Sequence, residues 1–149
     1  MILKILIGLG AVFALYWTIK TKKTFPAVIT LGMIAGIVLA LFPSGTIQLS
    51  GLYIYMGFVA LAFIYGLTVK DKNIWERLTI CFMSVSIFIY WLWVLNHWHG
   101  NAVLAPIFAL LVAAGGVIGK VKLKNEWGFM ALLFVDAIAI LIENWMKVN

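Results

Sequence analysis

Asp136 sits in the middle of the apolar run Trp127–Ile142. A carboxyl group in such surroundings is disfavoured by several kcal/mol unless it faces protein or water. Its expected chemistry is that of a proton relay, a cation site or a substrate contact. The alternative is a neutral acid, hydrogen-bonded to a neighbouring helix as a structural fastening, a state that burial permits.

Ser84 and Ser86 lie near the middle of another apolar run, at similar depth, and are candidate partners for Asp136, as is Thr30. Serine hydroxyls more often bond their own helix backbone. No basic residue falls at this depth to pair with the acid. Glu143 follows Asp136 by seven residues, so both project from one helix face, with Asn144 beside them. The two acids would form a track from one surface to the middle of the membrane, although Glu143 lies near enough to the boundary to be simply solvated.

Both histidines stand in Asn96-His97-Trp98-His99-Gly100-Asn101. Imidazole ligates transition metals, but His97 and His99 supply only half a tetrahedral site. Glu143 is a third ligand only if folding brings it near. A polar interfacial loop is the preferred reading, and no cofactor is expected. Two loop histidines so close in sequence cannot clasp one haem iron from opposite faces. Cys81 is the only cysteine, is expected inside a helix, and reads as a small apolar packing residue. The chain has no G-x-S-x-G, H-E-x-x-H or P-loop pattern, and serines and histidines are at different depths, so nucleophilic catalysis finds little support.

The elements that hold these residues are six apolar stretches: Ile5–Ile19, Phe25–Phe42, Gly51–Val69, Leu78–Leu95, Ala102–Ile118 and Trp127–Ile142. About 20 helical residues cross a hydrocarbon layer about 30 Å thick. Several stretches are slightly short, and flanking Trp, Tyr and Lys make up the difference at the interface. Of 149 residues, 65% are hydrophobic and 11% charged, too little polar surface to coat a soluble helical bundle. The expected fold is all-α: a polytopic integral membrane protein of six transmembrane helices in one domain, residues 1–149. The apolar run follows Met1 without a small-residue cleavage site, so the first helix is expected to be retained.

Every second connection is basic. Lys20, Lys22 and Lys23, then Lys70, Lys72 and Arg77, then Lys120, Lys122 and Lys124 fall on one side; Lys4 and Lys147 fall on the other. Cationic loops stay in the cytoplasm, so both termini are expected outside, in a prokaryotic cytoplasmic membrane. The net charge of +6 is then a topology signal and a contact with anionic lipid. It is not a nucleic-acid footprint, because no basic patch is interleaved with stacking aromatics. Trp17, Trp75 and Trp127 near one boundary, and Tyr53, Trp91, Trp93, Trp98 and Trp145 near the other, form aromatic belts. A ligand cage of Trp91, Trp93 and Trp98 is the sharper, less favoured reading.

Halves 1–72 and 73–149 share faint similarity: Tyr16-Trp17 with Tyr90-Trp91, and 57–63 with 128–134. In this topology the halves would be inverted, as in many transporters whose site lies between them. Chance similarity among apolar segments is slightly preferred. Gly32-x-x-x-Gly36 and Gly115-x-x-x-Gly119 offer small faces for close helix approach, within the protein or between protomers. Pro106 and Gly115-Gly116 permit bending.

The leading functional expectation is a small transporter or channel for a proton, cation or small solute. Asp136 would bind it, supported by Ser84 and Ser86, with His97, His99 and Glu143 at the outer entrance. Partners would be the bilayer and a second copy or other membrane subunits. The rivals are a non-catalytic subunit of a larger complex and a small intramembrane or metal-dependent enzyme.

Overall fold

The computed structural model describes residues 2–148, with side chains from residue 5 onward. Met1 and the Lys4 side chain, used above, lie outside the described residues. Six helices follow in order: α1 (Ile2–Lys20), α2 (Thr24–Ala40), α3 (Gly45–Thr68), α4 (Ile74–Leu95), α5 (Leu104–Ile118) and α6 (Trp127–Val148). Helices α3, α4 and α6, of 24, 22 and 22 residues, are long and apolar enough to cross a membrane; α2 and α5, of 17 and 15 residues, are apolar but shorter. Helix α1, of 19 residues, is also shorter than α3, α4 and α6.

Helix ends differ from the apolar stretches where polar residues continue the helix. The expected connection 43–50 is mostly helix: α3 starts at Gly45, and Ser50 donates its hydroxyl to Thr46 O at 2.9 Å. That bond satisfies the serine without leaving the helix. At the start of α4, the Asn73 side chain accepts from Glu76 N while Glu76 accepts from Asn73 N. This reciprocal cap places the start at Ile74, ahead of the apolar stretch. Helix α6 runs on to Val148, closed by the Lys147–Glu143 pair at 2.7 Å one turn apart. A lysine there also suits the negative end of the helix dipole. Pro26 and Pro106 are the third residues of α2 and α5. Their missing N–H groups would have had no intrahelical acceptor, so neither interrupts a ladder.

Neighbouring helices pack in a closed ring, α1 to α6, with α6 returning onto α1. Helix α6 is drawn inward and packs on α2 and α4 as well. Its buried face, Phe129, Leu132, Leu133, Ala137 and Ile140, therefore fills the centre of the bundle. The α2–α3 pair is the most closely opposed. A Cβ added at Gly36 would lie 2.6 Å from the backbone nitrogen of Tyr55, so Gly36 must stay bare for α3 to approach at Tyr55. The second glycine pair behaves differently: Gly115 faces open space, and it is Gly116 that lies against Thr79 of α4. Helix α5 turns Leu104, Leu111, Val117 and Ile118 outward.

Candidate functional site

Asp136 is buried, 8% exposed, at the tenth residue of α6. Its Oδ2 accepts two hydrogen bonds, from the Tyr55 hydroxyl at 2.8 Å and from Trp91 Nε1 at 2.9 Å. Three helices thus meet at one oxygen: α3 supplies the phenol, α4 the indole and α6 the acid. Among the described residues no protein donor reaches Oδ1, and no Lys, Arg or His pairs with this carboxylate. Among the described residues no cation balances the charge of Asp136.

Beside this carboxylate lies a cavity of about 200 Å³. Asp136, Tyr55, Trp91 and Gln48 are its polar lining; Ile37, Leu52, Leu132 and Val135 are among its apolar walls. It lies toward the end of the bundle that carries the α2–α3 and α4–α5 connections, since Leu41, Gln48 and Trp91 come from helix ends on that side. The position of Tyr55 depends on the bare Gly36 behind it, so the α2–α3 contact aims the phenol.

A second polar cluster closes the opposite, basic end. Glu126, fully buried, accepts from the Tyr65 hydroxyl at 2.8 Å and pairs with Lys72 at 3.0 Å. Lys72 also donates to Lys122 O at 2.8 Å, and Glu76 Oε1 accepts from Lys122 N at 3.2 Å. The α3–α4 and α5–α6 connections are therefore tied together by charges. Lys23 pairs with Asp71, the Arg77 guanidinium bonds the carbonyls of Gly66 and Leu67, and Trp17 Nε1 reaches Lys124 O at 2.7 Å.

The two clusters repeat one design. Tyr55 and Tyr65 are ten residues apart on α3, as are Asp136 and Glu126 at the α6 end of each bond. Antiparallel α3 and α6 keep this register over about 15 Å. The helices do not pack closely here, and the long phenol arms bridge the gap.

The sequence-derived candidates fall in different places. Asp136 lies at the centre, as its position implies. Ser84 is fully buried, and its hydroxyl has no protein partner among the described residues. Ser86 donates to Phe82 O at 2.6 Å, and Thr30 to Pro26 O at 2.8 Å, each back onto its own helix. The hydrogen bonds that the sequence assigned to serines come instead from Tyr55 and Trp91. Glu143 is half-exposed and paired with Lys147, and Asn144 bonds Ile140 O. His97 and His99 are exposed, with His97 in a left-handed turn at φ 50°. Among the described residues no group of three His, Cys, Asp or Glu is placed to hold a metal ion, so folding does not bring Glu143 to the histidines as a third ligand. Trp93 and Trp98 pack against each other at 5.6 Å, whereas Trp91 contacts Tyr90 and turns to Asp136; the three do not form a cage.

The sequence does not single out Tyr55, Glu126 or Tyr65 as site residues, and it offers Trp91 as one only as part of a tryptophan cage, not as a donor to Asp136. A Tyr or Trp near a helix end reads as a belt residue, and nothing in its spacing says that it turns inward. The one available signal was the equal ten-residue interval between two tyrosines and two acids. Compared with family models, curated proteins and solved structures, the chain has no match among any of the three.

Proposed function

We propose that this chain is a small membrane transporter or channel, and that Asp136 binds the transported proton or cation. The observation that carries the reading is a buried carboxylate beside a cavity, with two neutral donors on one oxygen and, among the described residues, no cation to balance it. A buried charge needs a partner or must be neutralised. A proton or a cation arriving through the cavity meets that need.

Six membrane spans are the reading that suits the ring of helices. Short helices such as α2 and α5 are accommodated where Trp and Lys flank them or where the bilayer thins. The basic connections face the cytoplasm in this arrangement, and both termini face out. The cavity then lies on the outer half, and the Lys72–Glu126–Tyr65 cluster closes the inner side. A site reached from one side and sealed at the other is the resting form of an alternating-access device. The inverted repeat has weaker support: α3–α4 and α6–α1 are matching contacts, but α6 is drawn to the centre and α3 is not.

The test is proton and cation flux by the purified chain in liposomes, wild type beside Asp136→Asn. Flux that vanishes in the variant while the fold persists supports the mechanism. Equal flux in both removes Asp136 from it, and no flux in either favours a non-catalytic membrane subunit.

A further inference from the structure

We infer that the cavity beside Asp136 is a binding site for a small organic ammonium ion, a cation with an apolar body. The inference rests on the reading above and names its substrate class.

Three observations select this chemistry. First, both protein donors occupy Oδ2, which leaves Oδ1 for an N–H donor from a guest. The carboxylate is held in place by Tyr55 and Trp91 and does not need to reorganise to receive it. Second, the cavity is of about 200 Å³. An apolar cavity of about 150 Å³ holds a benzene-sized molecule, so an alkyl or aryl body of four to seven carbons, roughly, fits here. A bare proton needs no such space. Third, apart from Asp136, Tyr55, Trp91 and Gln48, the walls are aliphatic. A hard metal cation asks for about six oxygen ligands, and the wall offers the carboxylate, one amide and a phenol already engaged as a donor. An ammonium ion needs one carboxylate and a few polar contacts, and its carbon chain gains by leaving water for Ile37, Leu52, Leu132 and Val135. The indole and phenol beside the acid add the aromatic surface that organic cations favour.

The alkylammonium group has two sources, a free amine or the headgroup of an aminophospholipid. A lipid headgroup also brings a phosphate, for which the lining holds no cation among the described residues.

The experiment is titration calorimetry of the full chain in an amine-free detergent with n-butylammonium, beside n-butanol of the same shape and sodium chloride. Saturable binding of n-butylammonium is expected, with n-butanol at least about tenfold weaker, the equivalent of one charge-assisted hydrogen bond. Asp136→Asn should lose it. Leu52→Trp, which keeps the acid but fills the cavity, should lose it too, so a folding defect in one variant does not decide the matter. Equal binding of the alcohol and the ammonium, no saturable binding, or unchanged binding in both variants overturns the inference. Competition by a short-chain phosphatidylethanolamine supports the ammonium chemistry and assigns its source to lipid; its failure to compete assigns a free amine. Proton flux that depends on Asp136 without amine binding would overturn this inference and leave the transport reading standing. Amine binding without flux would do the reverse.

Discussion

Removing Lys72 should destabilise the closed basic end by about 3 kcal/mol. Glu126 is fully buried, and Lys72 is 10% exposed at its side chain, 3.0 Å away. At that separation the attraction is about 5–6 kcal/mol for an effective dielectric near 20. Desolvating both ions offsets most of it, so the intact pair contributes little net stability. Truncating one partner is different: it leaves a buried charge uncompensated, at a cost of about 3–5 kcal/mol. The Tyr65 hydroxyl remains on Glu126 in Lys72→Met, which argues for the lower part of that range. The further loss of the Lys72 bond to Lys122 O frees the α5–α6 connection. Unfolding of Lys72→Met by SDS titration in mixed micelles, followed by circular dichroism, gives the number. Lys72→Met with Glu126→Gln removes both charges and should recover most of the loss. If the single variant costs less than about 1 kcal/mol, the value of a surface pair, the buried pair does not hold this end together. Equal destabilisation of the single and double variants would also refute the reasoning.

Other perturbations have equally definite outcomes. Tyr55→Phe deletes one of two donors to Asp136 and should weaken n-butylammonium binding through a less ordered carboxylate; the hydrogen bond is of the charged type, of about 1.5–3 kcal/mol, so unchanged calorimetry would mean that Tyr55 does not position the acid. Gly36→Leu forces α3 away from α2 at Tyr55, and should cost at least about 1–3 kcal/mol in the same SDS titration as well as the Tyr55 bond, whereas Gly115→Leu, facing open space, should be close to neutral. His97→Ala with His99→Ala should leave flux unchanged, since both are exposed and no third ligand is near; loss of flux would bring them back into the pathway. With Cys81 replaced by Ala, single cysteines at Lys23 and Trp98 should be labelled from opposite sides of intact cells by an impermeant maleimide, Trp98 from outside; labelling from the same side would break the six-span topology.

The helical class and the order of the helices were legible because apolar runs long enough to be helices are separated by short polar connections. Asp136 was legible for a related reason: a charge in the centre of such a run has few places to go. Its partners were not. Tyr55 and Trp91 are amphipathic side chains, and an interfacial position suits them as well as an inward one. Only the close α2–α3 approach at Gly36 and the inward displacement of α6 decide between the two. Ser84 and Ser86 looked suitable by depth, but depth along a helix does not fix azimuth, and Ser86 finds its acceptor one turn back on its own helix. Glu126 was hidden by its place beside Lys120, Lys122 and Lys124, where an acid reads as part of a solvated loop. Burial of that loop end beneath Tyr65 and Lys72 is a tertiary outcome that local sequence does not encode. The helix starts at Gly45 and Ile74 show the same limit in a milder form, because polar residues at a helix end look like loop to a hydropathy reading.

The most direct test of the account is infrared difference spectroscopy of the carboxyl groups on adding n-butylammonium, wild type beside Asp136→Asn. The account expects a carboxyl band that changes on occupancy in the wild type and is missing from the variant. A difference spectrum that is the same in both proteins would contradict it, because the buried acid would then not be the group that meets the cation.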